Sequence, residues 1–420
     1  MESAIALLDC NNFYASVERV FDASTQKRPI VVLSANDGCI ISRSREAREL
    51  PVAMGAPLFK VEELLSEHNA AVLSANFTLY GDMSARVMES LQTFTPDVEV
   101  YSVDEAFLQI DAEKNDLTAL GFEIQEKLYK WTGIPASIGI AETKTLAKLT
   151  NKIAKDSEKT NGVLNLYRSP YLNAALERTP VERVWGVGSA SKKKLKQQGI
   201  ETARQLRDMD LRRARKMLSV VGARIVLELR GVRCLPLDTN PPPRRSIIVS
   251  RSFGEKITEL KFLREAVALF LTRAAEKLRK HNLAAHAITV FVATNRFQPE
   301  NYYSNAATHS SAYPTDVNQE LQTWAFACLE KIFRGGFFYC RAGVILSGLV
   351  PADKLTARMY DDERWERFRK VMKAVDEINR KFGRDTIRFA VVNPEASWQG
   401  KCERRSSRYT TRFDEILRVK

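Results

Sequence analysis

Two short segments of this chain, one apolar and one with alternating apolar residues, each end at acidic residues, which restricts how the two segments can be placed in a fold. Residues 5–8 are apolar and lead to Asp9, and residues 98–103 lead to Asp104 and Glu105. The first run predicts a strand, and the second predicts one arm of a hairpin. If the fold brings both strand ends together, three carboxylates meet at one point, which calls for divalent cations. Because Mg²⁺ prefers oxygen ligands and shares its coordination shell with phosphates, the pattern favours phosphoryl or nucleotidyl transfer.

Asp9 alone also has a simpler interpretation, because an Asp after a strand commonly caps the helix that follows. The adjacent pair Asp104 and Glu105 weakens that interpretation, since neighbouring acids repel each other unless a cation is bound. In a two-metal site, Asp9 and Asp104 are expected to bridge both ions, with Glu105 near the ion that activates the attacking hydroxyl. The carbonyl of Cys10 can complete a metal shell.

Phosphates call for a different set of groups. The amides of residues 11–14 stand at the predicted start of a helix, where backbone N–H groups receive phosphates well. By their order along the chain, Arg48 and Lys155 are the basic residues best placed to bind a triphosphate. A solvated surface charge is the alternative for each of them.

Composition limits the class of protein. The chain has 420 residues, 45% of them apolar, which is enough for several cores, so we expect a multidomain protein. Its net charge of +13, with clustered basic residues, favours a polyanionic partner, with nucleic acid ahead of an acidic membrane surface. It shows neither an apolar run of about 18 residues nor a signal segment, so we expect a cytoplasmic protein with no membrane partner. Six cysteines without a CxxC pair and four histidines without ligand spacing argue against zinc and disulfides.

The order of predicted elements indicates an α+β multidomain fold that begins with a ferredoxin-like layer at residues 1–169. Its elements are strands at 4–8 and 136–141, helices at 14–20 and 117–131, and the hairpin that carries Asp104. A segment inserted at about 28–75, with strands at 30–33 and 38–41, is long enough to form a subdomain.

The rest of the chain divides by composition. Residues 170–235 predict short helices with basic clusters, and residues 236–246 contain a proline run that favours an extended linker. From 247 to 350 the predicted elements repeat the order βαββαβ without sequence similarity to the first layer. Residues 351–420 show weaker periodicity, and we interpret them as a partly ordered extension for protein partners.

The sequence Trp-Gly-Val-Gly at 185–188, followed by a predicted basic helix at 191–197, has the form of a helix-hairpin-helix. Glycines in the turn would let the backbone approach a phosphate, and the lysines would add charge. The candidate DNA contacts are Gly186, Gly188, Lys192, Lys193 and Lys194. A GxG turn alone is more often an ordinary connector, and it is the adjacent lysines that favour DNA binding without sequence recognition.

Together these residues resemble the Y-family translesion DNA polymerases, most closely the UmuC-type catalytic subunits of bacterial DNA polymerase V. The resemblance covers nearly the whole chain. The motifs that carry it are DCNNFYASVE at 9–18, NDGC at 36–39, YGDMS at 80–84, YSVDEAF at 101–107, KTLAK at 144–148, WGVG at 185–188 and RYTTR at 408–412. It implies a ferredoxin-like palm with inserted fingers, a helical thumb with the helix-hairpin-helix, and a βαββαβ little finger after the linker.

The resemblance also implies roles for the site residues. The three carboxylates fall on the family's metal-binding positions, and Cys10 supplies the backbone carbonyl. Tyr14 falls on the steric gate, whose ring lies under the sugar and excludes a 2′-hydroxyl, and Phe13 flanks it; a simple core aromatic is the alternative for Tyr14. Arg48 and Lys155 fall on triphosphate-binding positions.

Three positions depart from the family pattern. Asn11 replaces an Asp of many relatives, although UmuC-type sequences share the Asn. Arg45 stands where some relatives place a phosphate-binding tyrosine. Residues 356–360, Thr-Ala-Arg-Met-Tyr, lack the Gln-Leu-x-Leu-Phe-like sliding-clamp peptide that relatives carry in this region, so clamp binding is uncertain.

The sequence therefore predicts an error-prone translesion DNA polymerase of the SOS DNA damage response that uses two Mg²⁺ ions. The resemblance implies primer-template DNA, dNTP, a UmuD′-like dimer and the RecA filament as partners. Two alternatives stay open. A palm-type nucleotide cyclase would need neither the basic thumb nor the second α+β domain, and a DNA-binding accessory protein would not need the intact carboxylates.

Overall fold

The computed structural model describes residues 2–239, 242–354, 362–393 and 396–416, and its elements confirm a mixed α+β fold. The strands are β1 (Ser3–Cys10), β2 (Ile30–Leu33), β3 (Ile40–Arg43), β4 (Ala71–Ser74), β5 (Val98–Val100), β6 (Glu105–Asp111), β7 (Ala136–Ala141), β8 (Val163–Asn165), β9 (Ser246–Ile257), β10 (Leu283–Ala293), β11 (Ser304–Thr315) and β12 (Tyr339–Pro351). The α-helices are α1 (Phe13–Phe21), α2 (Arg45–Glu49), α3 (Glu62–Glu67), α4 (Phe77–Gln92), α5 (Leu117–Thr132), α6 (Lys144–Asp156), α7 (Leu172–Arg178), α8 (Ser189–Lys196), α9 (Ala203–Asp208), α10 (Leu211–Leu229), α11 (Leu260–Lys280), α12 (Asn318–Ile332) and α13 (Asp362–Phe382).

The chain folds into two compact units, each made of more than one segment. The first unit comprises Met1–Ser34, Gly38–Pro241 and Arg404–Lys420, and the second comprises Ala35–Asp37 and Pro242–Glu403. The end of the chain therefore belongs to the unit that its beginning forms.

The central strand of the first unit is β1, in a sheet of order β5-β6-β1-β7-β8. It is antiparallel to β6 and β7, and the set β7-β1-β6-β5 has the predicted ferredoxin-like order. Ala6 and Leu8 point into a core shared with α4 and α5, whereas Ile5 and Leu7 point into a second core shared with α6. Because both faces are buried, β1 is apolar until Asp9.

The inserted segment forms its own three-stranded sheet of order β3-β2-β4, in which β2 is antiparallel to β3 and parallel to β4. A small core supports it, with Val31, Leu33, Ile40, Ala47, Val52 and Leu65. The strand predicted at 38–41 begins later, at Ile40, because Asn36 and Asp37 take positive φ angles of 71° and 48° in the turn before it.

Helices α7 to α10 pack on the sheet face that α6 covers. The buried carboxylate of Glu228 accepts hydrogen bonds from the amides of Thr145 at 3.1 Å and Cys234 at 2.7 Å, so α10 is tied to the start of α6. The predicted basic helix is present as α8. The element before the hairpin is only a 3-10 turn, Val181–Arg183, so the helix-hairpin-helix is shorter on that side than its name implies.

The second unit confirms the predicted βαββαβ order, with β9, α11, β10, β11, α12 and β12 in sequence. Its sheet has the order β11-β10-β12-β9, with antiparallel neighbours throughout. Apolar residues of α11 and α12, including Leu271 and Leu329, share one core with the sheet. The first strand lies at an edge here, whereas β1 lies inside its sheet, so the two α+β layers differ in topology.

The segment after residue 351, which the sequence predicts to be a partly ordered extension, contains the 21-residue helix α13, Asp362–Phe382. Met372 is buried, and Arg279 of α11 donates to both carboxylate oxygens of Asp376 at 2.6 and 2.8 Å. The prediction overlooked this helix because charged residues surround its few apolar positions. Residues 356–360, Pro241 of the predicted linker and residues 417–420 lie outside the described residues. Within the described part of the chain, no helix has the length and apolarity needed to cross a membrane.

Candidate active site

The register of β1 against β6 brings the predicted carboxylates to one end of the central sheet. Asp9 is the partner of Glu105 across the antiparallel pair, and the amide of Cys10 donates to the carbonyl of Asp104 at 2.8 Å. Directly opposed residues in such a pair have Cβ atoms about 4.5–5.5 Å apart. The strand ends therefore bring Asp9 beside Glu105 and next to the turn that carries Asp104.

A tight hairpin between β5 and β6 orients Asp104. Ser102 Oγ donates to Asp104 Oδ1 at 2.6 Å, and the amides of Tyr101 and Ser102 both donate to the carbonyl of Glu105 at 3.1 Å. These bonds fix the turn before β6 begins. The hairpin therefore holds one carboxylate beside the end of β1 with little freedom.

Two lysines of α6 face the acidic residues. Lys155 Nζ lies 2.5 Å from Asp9 Oδ2, and Lys148 Nζ lies 3.0 Å from Glu105 Oε2. Lys155 was expected to bind a triphosphate, and the structure places it against a carboxylate. Lys148 was not predicted to belong to the site, although its spacing of seven residues from Lys155 puts both on one helix face. That spacing is the sequence signal that could have found it.

Lys148 also connects the site to the helical part of the unit. Its ammonium lies 4.2 Å from the centroid of the Tyr101 ring and 5.3 Å from that of Trp185. The Tyr101 and Trp185 rings meet edge to face, with centroids 5.6 Å apart. Trp185 opens the hairpin motif, so one lysine contacts the acidic site and the aromatic pair that joins it to the thumb-like region.

The electrostatics at Asp9 fit a cation site. Burial raises the pKa of Asp9 to about 6 against the lowering influence of Lys155, and the charges of Glu105 and Asp104 raise it further. Buried oxygens with like-charged neighbours are the donor type that a hard divalent ion stabilises. Among the described residues, no three His, Cys, Asp or Glu side chains form a ready-made metal cluster. The donor types fit Mg²⁺, while the arrangement seen is that of carboxylates paired with lysines.

The predicted gate residue Tyr14 belongs to an aromatic cluster on α1 and α4. Its ring stacks on Tyr80 with centroids 4.5 Å apart and planes inclined by 18°, and Phe77 meets both rings edge to face. Phe13 is buried at 4% exposure, whereas Tyr14 is partly exposed. Burial and, to a smaller extent, the charge of Asp104 raise the pKa of the Tyr14 phenol. Cys10 is fully buried, and burial raises the pKa of its thiol.

The predicted triphosphate residues line one cavity of about 1000 Å³. Arg48 and Lys155 are among its lining residues, together with Asn11, Asn12 and Ser16 from the start of α1. Arg45 projects from the same wall and pairs with Glu158 at 2.8 Å. Tyr14 and the three carboxylates do not line this cavity. Lys155 links the two places, because it lines the cavity and also contacts Asp9.

The predicted DNA contacts lie in and after the hairpin motif. Gly186 has a φ of 90°, and a Cβ there would meet Ile225 Cδ1 at 2.7 Å, so this position requires glycine. Gly188 precedes α8 as its N-cap and is exposed. Lys192 pairs with Glu182 at 3.1 Å. Lys193 and Lys194 are exposed on α8 and present the charge that the sequence predicts there.

Comparison with known proteins gives matches along the whole chain. The impB/mucB/samB family profile matches residues 8–152, its C-terminal domain profile matches residues 244–359, and a domain of unknown function, DUF4113, matches residues 369–419. Protein UmuC of Salmonella typhimurium strain LT2 is 42% identical, over 99% of this chain and 100% of that protein. DNA polymerase IV of Desulfatibacillum aliphaticivorans is 31% identical, over 93% of this chain and 97% of that protein.

One solved structure supports the fold. It is titled a Y-family DNA polymerase chimera Dbh-Dpo4(243-245)-Dbh, and it superposes with a TM-score of 0.67 at 21% identity. The match covers 83% of this chain and 99% of that chain. The arrangement of layers described above is therefore shared with a known polymerase structure.

Proposed function

Because the chain belongs to the impB/mucB/samB family of Y-family DNA polymerases, we propose that it extends primers past damaged template bases as an error-prone polymerase of the SOS DNA damage response. It is a DNA-directed DNA polymerase, a nucleotidyltransferase. The observation that carries the proposal is the pairing of Asp9 with Glu105 beside Asp104, at the end of the central strand. Family members match this chain over nearly its full length.

The carboxylates are the proposed centre of the reaction. Two Mg²⁺ ions held by Asp9, Asp104, Glu105 and the Cys10 carbonyl would activate the primer 3′-hydroxyl and neutralise the leaving pyrophosphate. Ser102 orients Asp104 through its hydroxyl, and Lys148 and Lys155 balance the buried negative charge.

The nucleotide is proposed to lie between α1 and the basic residues. Arg48 and Lys155 would bind the triphosphate, with the amides of residues 12–14 close by at the start of α1, whereas the amide of Asn11 donates to the carbonyl of Pro135 at 2.7 Å. Tyr14 would lie under the sugar and exclude a 2′-hydroxyl. Its ring is held by the stacked ring of Tyr80, which supports a fixed gate.

The domain assignment follows from the same family. We assign residues 1–169 to the palm, with fingers inserted at about 28–75, residues 170–235 to the thumb, and residues 247–350 to the little finger. The exposed lysines of α8 and the glycines of the hairpin would grip the DNA backbone without reading its sequence. A UmuD′-like dimer and the RecA filament are the proposed protein partners, and residues 351–420 would include a contact surface for them.

Primer extension tests the proposal. The assay compares an undamaged template with one that carries an abasic site, in the presence of Mg²⁺ and dNTPs, with and without a UmuD′-type partner and activated RecA. We expect extension past the abasic site when the partners are present. Salt-sensitive DNA binding without extension under every condition would favour the accessory protein, and cyclisation of a nucleoside triphosphate without DNA would favour the cyclase.

A further inference from the structure

The end of the chain returns to the first unit and pairs with the inserted sheet. The amide of Ser74, the last residue of β4, donates to the carbonyl of Arg404 at 3.0 Å, and the amide of Arg404 donates to Ser74 Oγ at 3.0 Å. Arg404 also pairs with Glu62 of α3 at 2.8 Å. Ser74 and Arg405 form a parallel bridge, so this segment continues the sheet beyond the edge strand β4.

The next residues of the segment bind the start of α4. Asn76 caps this helix, because its Oδ1 accepts from the amide of Leu79 at 3.4 Å. Its amide nitrogen donates to the carbonyl of Ser406 at 3.0 Å, to Ser406 Oγ at 3.1 Å and to the carbonyl of Ser407 at 3.1 Å. Asn76 is 2% exposed, so these bonds are buried beneath the segment.

Ser406 also reaches the aromatic cluster at the predicted gate. Its hydroxyl donates to Glu18 Oε1 at 3.1 Å, and Tyr80 donates to the same oxygen at 2.5 Å. Glu18 is 2% exposed and lies one helical turn after Tyr14 on α1. Since the ring of Tyr80 stacks on that of Tyr14, the chain of contacts runs from Ser406 through Glu18 and Tyr80 to Tyr14.

A second aromatic contact fixes the segment along α1. The ring of Tyr409 stacks on that of Phe21, with centroids 4.9 Å apart and planes inclined by 13°. The segment therefore contacts α1 at its end, through Phe21, and in its middle, through Glu18. Both contacts come from a part of the chain that falls within DUF4113, a domain of unknown function.

We propose that residues 404–409 are a positioning element for sugar selection: Ser406 holds Glu18, Glu18 holds Tyr80, and Tyr80 holds the ring of Tyr14 at a fixed height. The inference rests on the proposed function, in which Tyr14 is the steric gate. Ser406 and Tyr409 are positioning residues in this account, because neither touches the nucleotide. Both hydroxyls donate to one oxygen of a buried carboxylate, so the loss of either donor leaves Glu18 with fewer partners and frees it to shift together with the other.

The test measures kcat/KM for dNTP and for the matching rNTP in primer extension, with the full chain and its partners. Ser406→Ala should lower the ratio of the two values about three- to tenfold, the size expected for the net contribution of one ordinary intramolecular hydrogen bond. The change should come from better use of rNTP, with kcat/KM for dNTP kept within about twofold. Ser406→Thr retains the hydroxyl and should restore the parent ratio.

Two further variants separate positioning from a general loss of folding. Thr411→Ala is the control two residues beyond this element, because Thr411 is exposed and donates to the carbonyl of Arg408 through its backbone amide at 3.0 Å. Tyr80→Phe keeps the stacked ring but removes the donor to Glu18, and it should lower the ratio in the same direction as Ser406→Ala. Their double variant should lower it by less than the product of the two effects, because both act through Glu18.

Two results would overturn the inference, and they are distinguishable. If the parent extends primers and Ser406→Ala discriminates between dNTP and rNTP as the parent does, the positioning role is wrong, while the proposed polymerase activity is supported. If the parent extends no primer with its partners present, the proposed function fails and the inference fails with it.

Discussion

Lys155 Nζ contacts Asp9 Oδ2 at 2.5 Å, at the end of the central strand β1. The same lysine lines the cavity that Arg48 faces. The ammonium of Lys155 thus contacts a predicted metal ligand and also belongs to a residue that lines the predicted triphosphate site. In the proposed function, an incoming triphosphate would offer it a second set of oxygens, and Lys155 would transfer its contact from the carboxylate to the nucleotide.

Replacing Lys155 with Met should raise KM for dNTP by about tenfold or more, because charge-assisted hydrogen bonds to phosphate are about twice as strong as neutral ones. DNA affinity should change little. Steady-state primer extension at varied dNTP gives KM, and the exposed Lys159 replaced with Met is the matched control. An unchanged KM in the Lys155 variant would remove this residue from the nucleotide site.

Replacing Lys148 with Met should destabilise the first unit, because Glu105 loses its partner while both side chains are at most 18% exposed. We expect the free energy of unfolding to fall by about 1–3 kcal/mol in urea denaturation. Adding Glu105→Gln should recover part of this loss, since the carboxylate is then neutral. A double variant less stable than the sum of the single changes would argue against the pairing, and Lys152→Met on the exposed side of α6 is the control.

The contact between α1 and α2 should weaken in acid. Burial raises the pKa of Glu46, but hydrogen bonds from Arg19 at 2.9 Å and from Ser44 outweigh it and lower the pKa from 4.5 to about 2. A carboxyl whose pKa is lower in the folded chain stabilises the fold fully above pH 4.5 and loses that contribution as the pH falls toward 2. The stability difference between the parent and Glu46→Gln should therefore be present at pH 7 and shrink through this range.

Urea denaturation at several pH values measures that difference, with Glu49→Gln as the control because Glu49 is exposed on the same helix. A difference that is constant between pH 7 and pH 2.5 would contradict the assignment.

The approach of α6 to the sheet depends on Gly139. A Cβ at this position of β7 would lie 2.1 Å from the amide nitrogen of Asn151, a backbone atom that cannot turn away. Gly139→Ala should therefore displace α6, with a loss of about 1–3 kcal/mol or more and a loss of polymerase activity, since α6 carries Lys148 and Lys155. Gly81→Ala on α4, where a Cβ meets nothing within 4 Å, should instead stabilise by about 0.5–1 kcal/mol. Thermal denaturation compares the two variants, and equal effects would contradict the packing described.

Local patterns predicted the elements that carry the site. The apolar runs 30–33 and 136–141 became β2 and β7 with unchanged bounds, because each is a short buried run with polar or turn residues at its ends. Pairing between strands is set by contacts that are distant in sequence. The placement of β12 between β9 and β10, which separates the second sheet from the ferredoxin-like order, therefore has no local signal.

In the candidate site too, some features have a local sequence signal and others depend on contacts between residues distant in sequence. The acidic residues could be predicted because they end strands, and Lys148 could have been found from its spacing on α6. The hydrogen bond from Ser406 to Glu18 joins residues 388 positions apart in the sequence. No local sequence pattern around either residue predicts this contact. Helix α13 carried a usable signal in the helical spacing of Phe368, Met372 and Val375, which the surrounding charges concealed.

The most direct test of the central claim is primer extension past an abasic site by the parent and by Asp104→Asn, with Mg²⁺, dNTPs and the proposed partners. The account predicts that the Asn variant loses at least about a thousandfold in rate, because the carboxylate that holds the metal ions is gone, while it retains salt-sensitive DNA binding. Asp97→Asn, at an exposed position before β5, should extend as the parent does. Extension by Asp104→Asn at the parent rate would contradict the assignment of this strand end as the active site.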